Sequence, residues 1–285
     1  MNYKVFNNHI QIDNTNGYTD IHDFLDDCCI PKKKQNVLIN SKRAYIDKKI
    51  YIYFDEEEID WPISDKNVEV VYEDEFILVV HKDAGYIIHD KDDNDCLNAR
   101  VANYYQENNI NSFVRPIHRL DKDTSGLVIY SKNSFFQSLL DKQIENKDIK
   151  RYYKAITKGN AKVNKEFIIN EPIGRNRHKS GTYIVSKTGK EAITRVKCLE
   201  SNHAYSMFEC ELDTGRTHQI RVHLSSNNYP IINDPLYGVT DNIIPYMGLW
   251  AYKVIIPHPI TKELITIVDK ERKDFKIWNM TSLVF

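Results

Sequence analysis

The chain has 285 residues, of which 41% are hydrophobic and 28% charged, and this is the composition of an ordinary globular protein. No apolar run approaches the roughly 20 residues that span a bilayer, and the first residues lack the basic and apolar segments of a signal peptide. We therefore expect a cytoplasmic protein without membrane contact. The five cysteines form no C-x-x-C pair, which argues against a disulfide framework and against a zinc site.

The net charge of −1 is unevenly distributed along the chain. Residues 141–200 hold fifteen lysines and arginines against seven aspartates and glutamates. Two interpretations stay open for this stretch. It is either a solvated, lysine-rich surface or a basic face that attracts a polyanion such as a nucleic acid.

Residues 1–62 are predicted to form a small N-terminal appendage that contains a helix and a short pair of strands. The helix falls within 19–31, where apolar residues recur at helical spacing before Pro31. The strands fall within 37–54, where apolar and polar residues alternate. The remainder, 63–285, is predicted to be one larger domain.

The larger domain combines sequence-adjacent strands with a few amphipathic helices. Because several strands follow one another without crossover helices, we predict an α+β fold with a mixed, largely antiparallel sheet and packed helices. Strands are predicted near 68–72, 76–82, 127–131, 151–157, 191–199, 205–213 and 249–256, and helices near 95–107, 133–146 and from 217.

The segment HRLDKDTSG, residues 118–126, is the densest cluster of reactive side chains in the chain. A loop held by a sheet is where catalytic groups tend to lie. Alternatively, Asp121 and Thr124 could only cap a turn through their side-chain oxygens. The acidic residues could also begin a calcium-binding EF-hand loop, but such a loop needs a glutamate at its twelfth position, which is Lys132 here.

The segment GRTHQIRVHL, residues 215–224, is predicted to form a helix. Thr214 or Thr217 would cap it, Ile220 would face the core, and Arg221 would lie on a different face. Its two histidines are five residues apart and do not share a face, so no metal pair is predicted there.

Four motifs follow one another along the chain: HRLDKDTSGLVIYSKN, RYYKAITKG, LDTGRTHQIRVHL and NDPLYG. Their order and separations resemble the RluA-type family of RNA pseudouridine synthases, and the similarity extends from about Val68 to Pro259. The resemblance implies the pseudouridine synthase fold and an isomerase that converts a uridine of structured ribosomal or transfer RNA to pseudouridine. That reaction oxidises nothing and transfers no group, so no metal, nucleotide or other cofactor is expected, and we expect a monomer.

The resemblance also assigns roles to individual residues. Asp121 matches the family's catalytic aspartate, and Arg221 matches the arginine that pairs with it and favours its charged form. Tyr153 matches the active-site tyrosine, with its neighbour Tyr152 as a rival. An RNA-binding or ribosome-assembly protein of the same fold that has lost catalysis is the alternative, but binding alone needs none of these groups.

A second set of residues is implied to contact the substrate. Arg119 matches an arginine used around the flipped nucleotide, and Ile220 matches an apolar residue that packs on the uracil. The further members predicted for this set are His118, Thr124, Arg216 and His218.

The chain departs from the family pattern in two places. The family's K-P-A-G turn is replaced by Lys82-Asp83-Ala84-Gly85, which removes no reactive group. Many relatives carry a small RNA-binding module at the N-terminus, but residues 1–60 here hold eight basic against eleven acidic side chains. We therefore do not expect this appendage to grip RNA as it does in those relatives.

Overall fold

The computed structural model describes residues 1–6 and 8–276. Its N-terminal unit consists of β1 (Tyr3–Val5), β2 (His9–Ile12), α1 (Ile21–Asp27), α2 (Lys32–Asn40), β3 (Ala44–Ile46) and β4 (Ile50–Tyr53). The strands pair in the antiparallel order β1-β2-β4-β3. The inner face of this sheet shares a hydrophobic core with Phe76 and Phe136 of the larger unit. The division at residue 62 stays a prediction.

One element of this unit was predicted wrongly. Residues 37–40, expected to begin a strand, end the helix α2 instead. Gln35 and Leu38 are buried one helical turn apart, and the Gln35 amide donates a hydrogen bond of 2.8 Å to the carbonyl oxygen of Ile30. The apolar run therefore belongs to a helix whose buried face also contains a polar residue, and alternation alone does not reveal this.

The larger unit is built around a second sheet. Its strands and those of a small hairpin are β5 (Glu69–Glu73), β6 (Ile77–Lys82), β7 (Arg115–Pro116), β8 (Ser125–Ser131), β9 (Lys150–Lys158), β10 (Glu166–Asn170), β11 (Ile173–Arg175), β12 (Tyr183–Val185), β13 (Ile193–Ser201), β14 (Tyr205–Leu212), β15 (Leu249–Pro257) and β16 (Leu264–Val268). The helices are α3 (Leu97–Glu107), α4 (Ser134–Glu145) and α5 (Gln219–Ser226). Residues 277–285 of the predicted domain lie outside the described residues.

The larger sheet has the strand order β10-β13-β14-β9-β15-β8-β6-β5, with β16 beside β15 and β7 beside β8. Among the strands described, its pairs are antiparallel except β8 with β15. This mixed sheet with packed helices confirms the predicted α+β class. In the part of the chain that the structure describes, every helix is too short or too polar to cross a bilayer.

The parallel contact between β8 and β15 joins the two halves of the sheet. Only two residue pairs form it, Ser125 with Trp250 and Gly126 with Ala251. Gly126 has a φ of 116°, and a Cβ there would lie 2.3 Å from the carbonyl oxygen of Ala251. Only glycine permits this close approach of the two backbones. The loop before β8 is thereby placed against the strands that follow α4.

Candidate active site

A cavity of about 650 Å³ lies where the loop before β8, the start of β9 and helix α5 meet. All of the site residues predicted from the sequence line it. They are His118, Arg119, Asp121, Thr124, Tyr153, Arg216, His218, Ile220 and Arg221. The structure thus brings together residues that are up to about a hundred positions apart in sequence.

The loop that carries Asp121 is held in place by the buried side chain of Lys82. The Lys82 ammonium donates hydrogen bonds of 2.8 to 2.9 Å to the carbonyl oxygens of Asp83, Tyr86 and Lys122. Burial lowers the pKa of Lys82 to about 8. The turn that replaces the family's K-P-A-G is therefore held to the loop that carries Asp121 by the buried ammonium of Lys82.

The calcium interpretation of this loop does not fit the backbone. From Ser125 to Ser131 the chain is the buried strand β8, whereas an EF-hand loop would curl around the ion. Within residues 1–6 and 8–276, no three His, Cys, Asp or Glu side chains converge as metal ligands do.

A chain of ion pairs forms the floor of the cavity. Nη1 of Arg221 donates a 2.9 Å hydrogen bond to Oδ2 of Asp121. Nε and Nη2 of Arg221 donate to the two carboxylate oxygens of Asp234 at 2.8 and 2.7 Å. This bidentate contact fixes the plane of the guanidinium. Burial opposes the charge on Arg221, but Asp234 and Asp121 outweigh burial and raise the pKa of Arg221.

Asp234 was not predicted from the sequence as a site residue, although it lies in the NDPLYG motif. Its side chain is fully buried, and Oδ1 also accepts hydrogen bonds from the backbone N–H groups of Leu236 and Tyr237. Hydrogen bonds within its own turn therefore fix the Asp234 carboxylate, and this carboxylate fixes the Arg221 guanidinium. The only signal available in the sequence was the Asp-Pro pair, which is typical of a turn.

The start of α5 differs from the prediction. His218, with a left-handed φ of 57°, is the N-cap, and neither threonine caps the helix. The Thr214 hydroxyl instead accepts from the Ile193 N–H at 2.9 Å and donates to Oε1 of Gln219 at 2.7 Å. The threonine cap was therefore a wrong prediction, because Thr214 ties this segment to β13.

His218 and Arg221 lie on the same face of the helix, against Tyr237. Nδ1 of His218 lies 2.8 Å from the Tyr237 hydroxyl, which also accepts a hydrogen bond from the Tyr183 N–H. The Arg221 guanidinium lies 5.2 Å from the centre of the Tyr237 ring. Tyr237 therefore connects the cavity floor to β12, a role that was not predicted from the sequence.

Tyr153, rather than Tyr152, faces the cavity. Neighbouring residues of a strand point to opposite sides of a sheet, and the Tyr152 ring lies below the ammonium of Lys253, 4.0 Å away. Burial raises the pKa of Tyr153, and the charge of Arg151 opposes the increase while that of Asp121 adds to it.

His118 is buried in the wall of the cavity and stays uncharged at neutral pH. Its Nε2 accepts a hydrogen bond from the Ile129 N–H at 3.3 Å. Burial, assisted by the charge of Arg151, lowers the pKa of His118 to about 3. Arg119, the next residue, is exposed at the rim.

The basic hairpin, defined here as Ile173–Val185, adjoins the site. Arg175, Arg177 and Lys179 are exposed on it, and none of them pairs with a carboxylate of the described residues. The hairpin is attached to the site through the hydrogen bond from Tyr183 to Tyr237. The basic stretch of the sequence thus carries three exposed cations on a hairpin that contacts the site through Tyr183.

Comparison with known proteins points to one family. A family model described as RNA pseudouridylate synthase matches residues 76–226. The uncharacterized RNA pseudouridine synthase YhcT of Bacillus subtilis is 41% identical over 202 residues, which cover 70% of this chain and 67% of that protein. The ribosomal large subunit pseudouridine synthase D of Neisseria meningitidis serogroup A is 35% identical over 215 residues, covering 70% of this chain and 57% of that protein.

The fold is also found among solved structures. The human RNA pseudouridylate synthase domain containing 1 superposes with a TM-score of 0.62 at 24% identity, covering 74% of this chain and 86% of that one. The matched segments span two thirds or less of the length of some of the curated relatives.

Proposed function

Because this chain belongs to the RNA pseudouridylate synthase family, a family of isomerases, we propose that it converts a uridine of structured ribosomal or transfer RNA to pseudouridine. One observation carries the proposal. The Asp121 carboxylate, held by Arg221, shares a cavity with the Tyr153 phenol. The similarity to a ribosomal large subunit pseudouridine synthase supports ribosomal RNA as the first substrate to examine.

The reaction needs an ionised carboxylate with one free oxygen. It breaks the N1–C1′ bond, turns the uracil, forms the C5–C1′ bond, and moves a proton from C5 while N1 gains one. Asp121 acts either by attack on carbon or by removing the 2′ proton of the sugar. Arg221 anchors Oδ2 of Asp121, whereas Oδ1 has no hydrogen-bond partner among the described residues. This arrangement orients the carboxylate and leaves Oδ1 available for reaction.

Tyr153 and Ile220 supply the surfaces for the base. The raised pKa of Tyr153 keeps its hydroxyl protonated near neutral pH, so the phenol can accept the C5 proton only as it releases its own, and N1, which gains a proton, balances the step. Its ring can stack on the uracil, and the buried side chain of Ile220 offers an apolar contact in the same cavity.

The target uridine must leave its helix or loop before it can enter the cavity. Flipping a base out of a stack costs about a few kcal/mol, which contacts with the protein must offset. In this proposal Arg119, which is exposed at the rim, fills the vacated position, and the basic hairpin contacts flanking phosphates without reading sequence.

The alternative, an RNA-binding assembly protein without catalysis, does not account for the cavity floor. Burying Arg221 and Asp234 removes two charges from water. RNA binding alone does not explain why this buried pair should orient the Asp121 carboxylate. A geometry that orients Asp121 supports catalysis.

The first experiment replaces Asp121 by Asn. The amide is nearly isosteric but can act neither as a nucleophile nor as a base. Tritium release from RNA that contains 5-tritiated uridine should therefore fall by at least about 10³-fold while RNA affinity changes only a few-fold. Asp123→Asn, in the same loop but outside the cavity wall, is the matched control. Turnover by the Asp121→Asn variant, once deamidation has been excluded, would remove Asp121 from the mechanism.

The substrate is found by mapping. Pseudouridines in the ribosomal and transfer RNA of a deletion strain are compared with those of the parent, and the site that is lost identifies the target uridine. Activity of the purified protein on that RNA should persist in EDTA as long as the RNA stays folded. If the deletion strain lacks no pseudouridine in either RNA class, the proposed substrates are contradicted.

A further inference from the structure

Arg151 lines the cavity but was given no role by the sequence motifs. It lies two residues before Tyr153 on β9, so the two side chains point to the same side of the strand. Its guanidinium lies across Gly215, where an added Cβ would be 3.4 Å from Nη2. Gly215 is exposed, whereas Arg221 and Asp234 are buried. Arg151 is therefore near the rim of the cavity.

The charge of Arg151 is not balanced by any carboxylate in the described residues. Among the acidic side chains of the wall, Asp213 pairs with Arg195, Asp121 pairs with Arg221, and Glu191 forms no ion pair within the described residues. Glu145, which also lines the cavity, pairs with Lys142. Nε of Arg151 is buried and has no hydrogen-bond acceptor. A partly buried cation without a partner is costly, which indicates a site that receives its anion from a ligand.

We propose that Arg151 binds a phosphodiester group of the target nucleotide and so holds the flipped uridine over Asp121. The phosphates are the anionic groups of RNA, and they stay at the rim when a base enters a pocket. A planar guanidinium matches two phosphate oxygens at once. This inference rests on the proposed function and adds the group that positions the substrate.

The other anion to consider is the uracil itself, which carries negative charge if it leaves the sugar. The site of bond breaking lies next to Asp121, where Arg221 is already hydrogen-bonded. Arg151 contacts the exposed Gly215 instead, on the side where the RNA backbone must pass. The position at the rim therefore favours the phosphate.

The test uses a synthetic RNA stem-loop that contains the mapped target uridine. It is made with ordinary phosphates or with one neutral methylphosphonate, on either the 5′ or the 3′ side of the target. The neutral linkage at one of these two places should weaken binding by the wild-type protein by about 10-fold or more, the effect of losing a charge-assisted hydrogen bond. Arg151→Ala should weaken binding to the ordinary RNA by a similar factor.

The two changes should not add. Arg151→Ala should bind the neutral and the ordinary RNA within about twofold of each other, because the contact is already absent. Arg151→Lys, which keeps the charge but not the planar fork, should lose less affinity than Ala. Single-turnover rates at saturating protein should stay within about threefold of wild type, since a ground-state contact lowers KM more than it changes kcat.

Lys253→Ala is the matched control, because it removes a cation from the neighbouring strand on the opposite side of the sheet. It should leave both RNAs bound as by the wild type. Wild-type binding that is insensitive to either neutral linkage overturns the proposal without requiring any variant. Additive losses in Arg151→Ala also overturn it. A slower single turnover with unchanged affinity would assign Arg151 to the uracil, and no turnover by the wild type would overturn the proposed function itself.

Discussion

The cavity floor and the basic hairpin both carry arginines, but they balance charge in opposite ways. In the floor, Arg221 donates hydrogen bonds to Asp121 and Asp234 and is 3% exposed. On the hairpin, Arg175 and Arg177 are exposed and have no carboxylate partner in the described chain. A cation that must hold a precise geometry is paired within the protein. A cation that binds a polyanion has no partner within the protein and pairs with the polyanion instead.

Removing the paired cation should have the largest effect on stability. Arg221→Ala leaves Asp121 and the buried Asp234 without their partner, so the free energy of unfolding should fall by about 3–5 kcal/mol. Urea denaturation followed by circular dichroism measures it. Arg195→Ala, which breaks an exposed pair with Asp213, should cost no more than about 1 kcal/mol. Equal losses in the two variants would contradict the contrast between floor and surface.

Replacing Asp234 should show whether this residue orients Arg221 for catalysis or only stabilises the fold. Asp234→Asn keeps the shape but breaks part of the bidentate contact, so Arg221 should hold Asp121 less precisely. We expect a loss of about 2 kcal/mol in stability and a single-turnover rate lower by about 10- to 100-fold. Asp241→Asn, whose partners Lys158 and Tyr205 lie outside the cavity wall, should keep the wild-type rate. An unchanged rate for Asp234→Asn would show that Asp234 only stabilises the fold.

The pH dependence of stability should also distinguish the two regions. The unfolded chain protonates His118 near its ordinary pKa of about 6.5, whereas the folded protein does so only near a pKa of about 3. The contribution of uncharged, buried His118 to the free energy of unfolding is therefore complete above pH 6.5 and is lost as the pH falls toward 3. Between pH 7 and 5 it should decline by about 2 kcal/mol. His118→Gln should remove this part of the decline in urea titrations at each pH.

The control for this measurement lies on the hairpin. His178 is exposed, so folding changes its surroundings little, and His178→Gln should keep the wild-type dependence on pH. A decline in His118→Gln as steep as in the wild type would mean that other groups cause it.

Removing the three cations of the basic hairpin should change stability less than the substitutions described above. It should change the salt dependence of RNA binding more than they do. Joint replacement of Arg175, Arg177 and Lys179 by Ala should change the free energy of unfolding by less than about 0.5 kcal/mol. The slope of log affinity against log salt should flatten by about two to three units, because each phosphate contact contributes about 0.7 to 0.9. Filter binding to specific and nonspecific RNA at several salt concentrations measures the slope. An unchanged slope would mean that the hairpin faces only water.

The sequence located residues that share one cavity better than it located the elements around them. Residues of three of the four motifs line one cavity, and Asp234 of the fourth contacts it through Arg221. Long elements with clear periodicity, such as α3 and α4, were also predicted close to their bounds. Short or exposed strands such as β10 were missed, since Ile168 at the edge of the sheet is 57% exposed and breaks the expected alternation.

What the sequence could not predict depends on contacts between distant segments. Asp234 acquires its place only when the turn after α5 folds back on Arg221. Arg151 is distinguished from its basic neighbours only by its place in the cavity wall, where its buried Nε has no hydrogen-bond acceptor. The left-handed N-cap at His218 replaces the expected threonine because Thr214 is engaged by β13. In each case the local residues permit several structures, and the tertiary contact selects one.

The parallel contact at Gly126 has a consequence for inactivation by heat. Asp121 precedes β8 on one side of this contact, and Tyr153 lies on β9, which is bound to β15 on the other side. The two groups therefore lie on opposite sides of a strand contact that consists of two residue pairs, reinforced by core packing and by the hydrogen bond from Arg221 to Asp121. A small opening there would leave most secondary structure intact and still misalign the site. On heating, we expect catalytic activity to disappear several degrees before the circular dichroism signal of the sheet.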